Sequence, residues 1–333
     1  MNNSINLTHG SGGTQMHQFI KERIMAKLGN NILEKMDDAA VMENQKSSQI
    51  AMTTDSFVVN PLFFPGGDIG RLAICGTVND LATSGAVAHA LSLAFILEDG
   101  ILFSDLDKII DSIATTAKEA RIKIVTGDTK VVERGKCDKI FINTTGLGFI
   151  NEGISISSHK AQPQDCVYIT GTMGNHEVAL MKARELFDFS ITTQSDVAPL
   201  NVAVNKLLSL TKNIHTIKDP TRGGVASALR EICEHSQCTI KIFEEHLPVD
   251  KDVHAVCDLL GLDPLYLANE GKFIIIAPES SHSQIMQAFP QSSIIGEVIK
   301  TLTNNKDELL LETISGGMRK IRMLDTMQLP RIC

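Results

Sequence analysis

The chain has 333 residues, 43% of them hydrophobic and 21% charged, so two globular domains of ordinary size are expected. A net charge of −8, no Trp and only two Tyr argue against a sequence-independent grip on nucleic acid or an anionic membrane. No apolar run approaches the ~20 residues that span a bilayer, and the N-terminus lacks a basic start followed by an apolar stretch, so a cytoplasmic protein is expected.

In chain order, Gly10-Ser11-Gly12-Gly13 reads either as a flexible terminus or as a loop whose N–H groups fold over phosphates. Thr14 is placed to cap a helix with Met16, Phe19, Ile20 and Ile24 on one face. Asp37 and Asp38 read as a solvated turn, or as the lead into a strand that presents carboxylates to a metal. A short strand over 50–54 ends at Asp55. Residues 71–86 read as a helix with Asn79-Asp80 set among Ala, Leu and Val, where an unpaired polar group costs desolvation. The apolar strand over 91–97 is expected to be covered on both faces. The clearest helix covers 104–120, with Ser104 as its cap and Leu106, Ile109, Ile110 and Ile113 in its buried stripe.

Arg121–Val125 alternates basic and apolar residues and reads as a half-buried strand leading into an acidic loop, Thr126–Val132. There Gly127 permits a turn, Asp128 offers a hard oxygen ligand, and Lys130 offers a cation two residues on. A strand at 139–145 completes an α+β unit with a largely antiparallel or mixed sheet. Near residue 155 the pattern restarts, with strands at 166–170, 239–243, 273–276 and 294–299 among helices. Asp219-Pro-Thr-Arg-Gly-Gly224 reads as a helix start, with Asp219 as cap, Pro220 at the first position and the amides as a potential anion site. Glu270 is either an exposed loop acid or, if buried near Lys130, a proton acceptor. Carboxylates at the ends of apolar segments, with glycine nearby, are what a Mg²⁺–nucleotide site requires. The seven cysteines form no Cys-x-x-Cys pair, and most read as buried small hydrophobes. Cys333 is the exception: it ends an extended Leu329-Pro-Arg-Ile-Cys333 tail, where Arg331 favours its thiolate and the α-carboxylate opposes it.

His9–Gly13, Thr53-Thr-Asp55, Pro61–Gly67, Gly76-Thr-Val-Asn-Asp80, Thr126–Val132, Asp219–Gly224, Asn269-Glu-Gly271 and Pro330–Cys333 together resemble the HypE family of carbamoyl dehydratases of nickel–iron hydrogenase maturation. The likeness runs across nearly the whole chain. The wider superfamily, with aminoimidazole ribonucleotide (AIR) synthetase and selenophosphate synthetase, shares the acidic positions but not the tail. The resemblance implies an α+β, AIR synthetase-like (PurM-like) architecture. It consists of an ATP-binding and dimerisation domain at 1–155, a C-terminal domain at 156–325 and a flexible tail at 326–333. It further implies a homodimer, ATP with Mg²⁺, and carbamoylation of Cys333 by the carbamoyltransferase HypF. The thiocarboxamide is then dehydrated to S-cyanide, which passes to iron on a HypC–HypD complex. On the same resemblance Cys333, Glu270 and Lys130 are catalytic. Asp37, Asp38, Asp80 and Asp219 serve the metal. Gly10, Ser11, Gly12, Gly13, Asp55, Thr77, Asn79, Asp128, Thr129, Arg222 and Gly223 serve the nucleotide. One departure stands out: the family's usual Gly-Asp-His-Gly is Gly174-Asn-His-Glu177 here, which weakens His176 as a site residue. The alternatives are a small-molecule kinase or synthetase of the same superfamily, in which Cys333 is dispensable, and a non-catalytic nucleotide-binding scaffold.

Overall fold

The computed structural model describes residues 4–6, 9, 18–30, 49–187, 190–300 and 307–323. The expectations for Gly10, Ser11, Gly12, Gly13, Asp37, Asp38 and Cys333 lie outside these residues.

The first half forms β1 (Gln49–Phe57), α1 (Ile69–Thr83), β2 (Ala86–Glu98), α2 (Phe103–Glu119), β3 (Lys123–Val132) and β4 (Ile140–Ile150). The strands make one sheet in the order β1-β4-β2-β3, antiparallel except for the β2–β3 pair. Asp68 caps α1 by accepting hydrogen bonds from Gly70 N (2.7 Å) and Arg71 N (3.0 Å). The stripe foreseen on α2 is buried, with Leu106, Ile109, Ile110 and Ile113 at 0% exposure, but its N-cap is Leu102 and not Ser104.

Two expectations are corrected here. Thr126–Val132 is no loop: it continues β3 in register with β2 as far as Glu98↔Val132. Gly127 serves close strand approach, because a Cβ there would sit 2.2 Å from the Leu93 carbonyl oxygen. Nor is β2 covered on both faces. Successive side chains point to opposite sides of a strand; Leu91, Leu93, Phe95 and Leu97 enter the core beneath α1 and α2, while Ile96 on the other side is 40% exposed. On the same bare side of β1, Ile50 and Met52 are 66% and 74% exposed.

The second half forms β5 (Asp165–Ile169), α3 (Asn175–Ala183), α4 (Asn201–Leu210), β6 (Thr216–Lys218), α5 (Gly224–Ser236), β7 (Thr239–Phe243), α6 (Lys251–Leu260), β8 (Ile274–Pro278), α7 (His282–Ala288), β9 (Ser293–Ile299), β10 (Leu309–Glu312) and β11 (Met318–Ile321). Its sheet has seven strands in the order β11-β10-β7-β9-β5-β8-β6, with only β7–β10 parallel. Both faces are packed. Val167, Ile169, Ile274 and Ile276 meet Val225, Leu229 and Ile232 of α5, and Tyr168 and Ile275 meet Val204 and Leu207 of α4 and Ile285 of α7. The fold is thus mixed α+β. Among the described residues no helix is long and apolar enough to cross a membrane.

An irregular strap, residues 190–200, ties the two halves together. Ser195 N donates to Pro65 O (2.8 Å), Arg71 Nε to Val197 O (2.9 Å), and Asn201 Nδ2 to Ala120 O (2.9 Å).

Candidate active site between the two sheets

Three foreseen acids come together where β1, α1 and the turn before α5 meet. Thr53 Oγ1 donates to Asp80 Oδ2 (2.9 Å), and a Cβ added at Gly76 of α1 would lie 3.6 Å from Asp55 Oδ2. Burial, and then the Asp219 carboxylate, push Asp80 up to about 6. Burial likewise raises Asp219, with Asp55 adding to the effect and Lys218 opposing it. Asp55 is raised by burial and partly relieved by the Ser56 N–H and by Arg222. These carboxylates repel one another across a poorly hydrated gap, a field that a cation would relieve. Among the described residues no three His, Cys, Asp or Glu side chains converge closely enough to hold a metal by themselves. The all-oxygen donor set suits a hard cation held by one or two carboxylates together with nucleotide phosphates.

The turn carrying Asp219 differs from expectation. The helix starts at Gly224 with Gly223 as N-cap, so Asp219 is not its cap. Gly223 and Gly224 both take left-handed backbone (φ +77° and +61°), and a Cβ at Gly224 would lie 2.6 Å from the Leu265 and Leu267 carbonyl oxygens. That double turn delays the helix and leaves Asp219 and the exposed Arg222 free to face Asp55 and Asp80.

Glu270 is 5% exposed and is held through the neighbours of these acids. Asn79, next to Asp80, donates from Nδ2 to Glu270 O (3.3 Å). Asn269, next to Glu270, donates from both its backbone N and its Nδ2 to Pro220 O (3.1 Å each), beside Asp219. Asn79 also donates to Ala198 O (3.0 Å) and accepts from Leu200 N (2.7 Å), so its amide is an inter-half tie. Thr77 is fully buried and hydrogen-bonded to Thr144 Oγ1 of β4, and Thr129 is 5% exposed. In the structure Thr77 thus bonds within the first half, and Asn79 bonds across to the strap and the Glu270 loop.

Lys130 and Asp128 pair with each other (3.4 Å) but not with the acids. Register across the sheet runs Ser56, Asn143, Ala94, Asp128, and strand alternation sets that row on the face opposite Asp55. Asn143 Nδ2 donates to Ser56 Oγ (3.0 Å) and Thr145 Oγ1 to Thr54 Oγ1 (2.9 Å) on this bare face. Within one chain, then, Lys130 and Glu270 lie on opposite sides of the four-stranded sheet: of the two readings of Glu270, it is no exposed loop acid, and it is buried without Lys130 beside it.

The departures at 175 and 177 have a structural account. His176 is fully buried, its Nδ1 2.8 Å from Ser195 Oγ, and Phe64 packs edge-on at 5.5 Å. Glu177 is 1% exposed, and its Oε2 accepts from Ala268 N (2.6 Å), directly before Asn269 and Glu270. Burial pushes its carboxyl up to about 7. Asn175 Nδ2 donates to Asp250 Oδ2 (2.7 Å). Sequence reading missed Asp196, which accepts from Glu270 N (3.2 Å) and Gly271 N (3.3 Å). It lies in the irregular strap, which carries no periodic signal.

Comparison with known proteins bears on this arrangement. Residues 36–150 match the AIR synthase related protein N-terminal domain, and residues 162–304 match the corresponding C-terminal domain. Carbamoyl dehydratase HypE of Cupriavidus necator is 42% identical over 99% of this chain and 95% of its own. A crystal structure of the hydrogenase maturation protein HypE in complex with ATP superposes with a TM-score of 0.93 at 42% identity, covering 98% of this chain and 99% of that one. A HypE chain from a HypE–HypF complex superposes with a TM-score of 0.79 at 44% identity, covering 92% and 99%. With both family domains matched and relatives similar over their full length, the chain belongs to the carbamoyl dehydratase HypE family of hydrogenase maturation proteins.

Proposed function

We propose that this chain is a cytoplasmic, ATP-dependent dehydratase acting on a carbamoyl group carried by its own Cys333. The observation that carries the reading is the stitching of Glu270 to the neighbours of Asp80 and Asp219, which gives a buried base and a phosphate-side acidic gap one rigid frame.

Removing water from –S–C(=O)–NH₂ requires a better leaving group than oxide. The carbonyl oxygen attacks the γ-phosphorus of ATP and ADP leaves, so the C–O bond now ends in phosphate. The nitrogen gives up two protons, one to Glu270 and one to the departing phosphate, as the C–O bond breaks and C≡N forms. Glu270 takes a proton from nitrogen, and its burial beside the strap keeps competing water from the reacting carbon. Lys130 stabilises charge that develops on the transferring phosphoryl group. Asp80, Asp219 and Asp55, with Asp37 and Asp38, are the residues that would hold Mg²⁺ and, through its charge, the nucleotide phosphates. Magnesium, when bound, neutralises phosphate charge and aligns the γ-phosphoryl group.

Lys130 and Asp128 face away from the acids within one chain, so the complete site is assigned to a homodimer. In it, the bare face of one four-stranded sheet meets that of a second copy and delivers Lys130 and Asp128 to the partner's acids. HypF is the proposed carbamoyl donor enzyme and a HypC–HypD complex the acceptor. Intact mass spectrometry tests the chemistry. The full chain is incubated with its carbamoyltransferase, carbamoyl phosphate and ATP, then with Mg-ATP alone. The expected result is a carbamoyl adduct that loses one water, absent from Cys333→Ala. ATP turnover in Cys333→Ala equal to the parent, with no adduct on the parent, would contradict the reading and favour a small-molecule kinase.

A further inference from the structure

The loop carrying Glu270 is gripped by a side chain from the strap, 74 residues earlier in the chain. Asp196 projects from the strap with its side chain 4% exposed. Its Oδ1 accepts from Glu270 N (3.2 Å) and its Oδ2 from Gly271 N (3.3 Å), so one carboxylate spans two successive amides. Lys272 Nζ lies 3.4 Å from Oδ2 and balances the charge. Strap and loop are also in backbone contact: a Cβ at Gly271 would sit 1.7 Å from the Asp196 carbonyl oxygen. The strap is in turn pinned to the first half by Pro65, Arg71 and Asn79. A chain of contacts therefore runs from α1, which carries Asp80, through the strap to the backbone of Glu270.

We infer that Asp196 is a positioning residue for the dehydration step, setting the backbone of Glu270 relative to the acids on α1. The inference rests on the proposed function and deepens it. Asn in place of Asp keeps the shape but turns an NH₂ donor toward a backbone N–H donor, so one of the two bonds becomes repulsive. Asp196 bonds to Glu270 N, Gly271 N and Lys272 and to none of the residues assigned to the nucleotide, so ATP binding is expected to be kept while the base is misplaced.

The test measures Mg-ATP-dependent water loss from the carbamoylated full chain by intact mass, as a function of ATP. Asp196→Asn is expected to slow turnover about 10-fold or more while the KM for ATP stays within about two-fold. In a Glu270→Gln background, the same change is expected to cost nothing further, because both act through one group. Lys272→Met leaves the carboxylate on both amides and is expected to slow turnover about three-fold, also without further cost in that background, so a poorly folding Asp196 variant does not shield the idea. Parent-like turnover in a folded Asp196→Asn, or losses that multiply with those of Glu270→Gln for either variant, would overturn the positioning role. A parent that never loses water would overturn the proposed function and this role with it, which separates the two failures.

Discussion

The seven-stranded sheet carries α5 on one face and α4 with α7 on the other, whereas the four-stranded sheet carries α1 and α2 on one face and, among the described residues, no helix on the other. Both sheets use strongly apolar strands. In the first case the apolar character is spent inside the chain: Val167, Tyr168, Ile169, Ile274, Ile275 and Ile276 are all fully buried. In the second, Ile50, Met52 and Ile96 stay exposed on the face that also carries Lys130 and Asp128, the charged residues proposed to serve a partner's site. A strand set that reads as doubly covered but is covered once marks a face awaiting a partner. Here the partner proposed is a second copy.

The largest effects are expected where the chemistry depends on both faces. Glu270→Gln and Lys130→Ala should each slow water loss about 100-fold or more in the intact-mass assay, although they sit on opposite sides of one sheet. If the Lys130 variant were as active as the parent, the bare face would have no part in the site. Next, Ile50→Asp combined with Met52→Asp should split the dimer in sedimentation experiments and lower turnover about 10-fold at micromolar protein. Ile314→Asp, at a position 77% exposed in the second half, should leave both oligomeric state and rate unchanged. Equal behaviour of the two would remove the distinction between the sheets.

The smallest effect concerns stability in the covered half. Burial raises the Glu177 carboxyl to about 7, so the folded state binds a proton more tightly than the unfolded chain does. The sign follows: the charged form destabilises the fold, the penalty grows as pH rises from the ordinary glutamate range to about 7, and it is complete above that. Glu177→Gln should therefore be more stable than the parent at pH 8, by about 1–3 kcal/mol in chemical denaturation, with the gain shrinking toward pH 5. A gain that does not change with pH would mean that Glu177 titrates alike in the folded and unfolded chain, contradicting a carboxyl raised by burial.

Sequence periodicity carried much of the fold. The stripe of α2 and the apolar runs of β5 and β8 follow directly from side-chain spacing, as does the restart of the pattern in the second half. The failures have specific causes. Gly127 looked like a turn signal and Asp219 like a helix cap, but Gly127 permits strand contact with Leu93, and the cap is Gly223, in a double left-handed turn with Gly224 that packs on Leu265 and Leu267, facts set by partners distant in sequence. The short strands β6, β10 and β11 gave no signal because three or four residues cannot show a period. At the site, the acids were legible as residues but not as faces. The motif Asn79-Asp80 placed a metal candidate and an inter-half tie side by side, and only the fold separates their roles. Asp196 was invisible because the strap has no regular structure and its grip on Glu270 is a long-range contact.

The most direct measurement is complementation between two inactive variants. Asp80→Asn and Lys130→Ala chains are assayed for water loss separately, and then after subunit exchange. If each site takes its acids from one copy and Lys130 from the other, half of the randomly mixed dimers carry one intact site, and the mixture regains about a quarter of the parent rate. A mixture no more active than either variant alone would contradict the two-copy site.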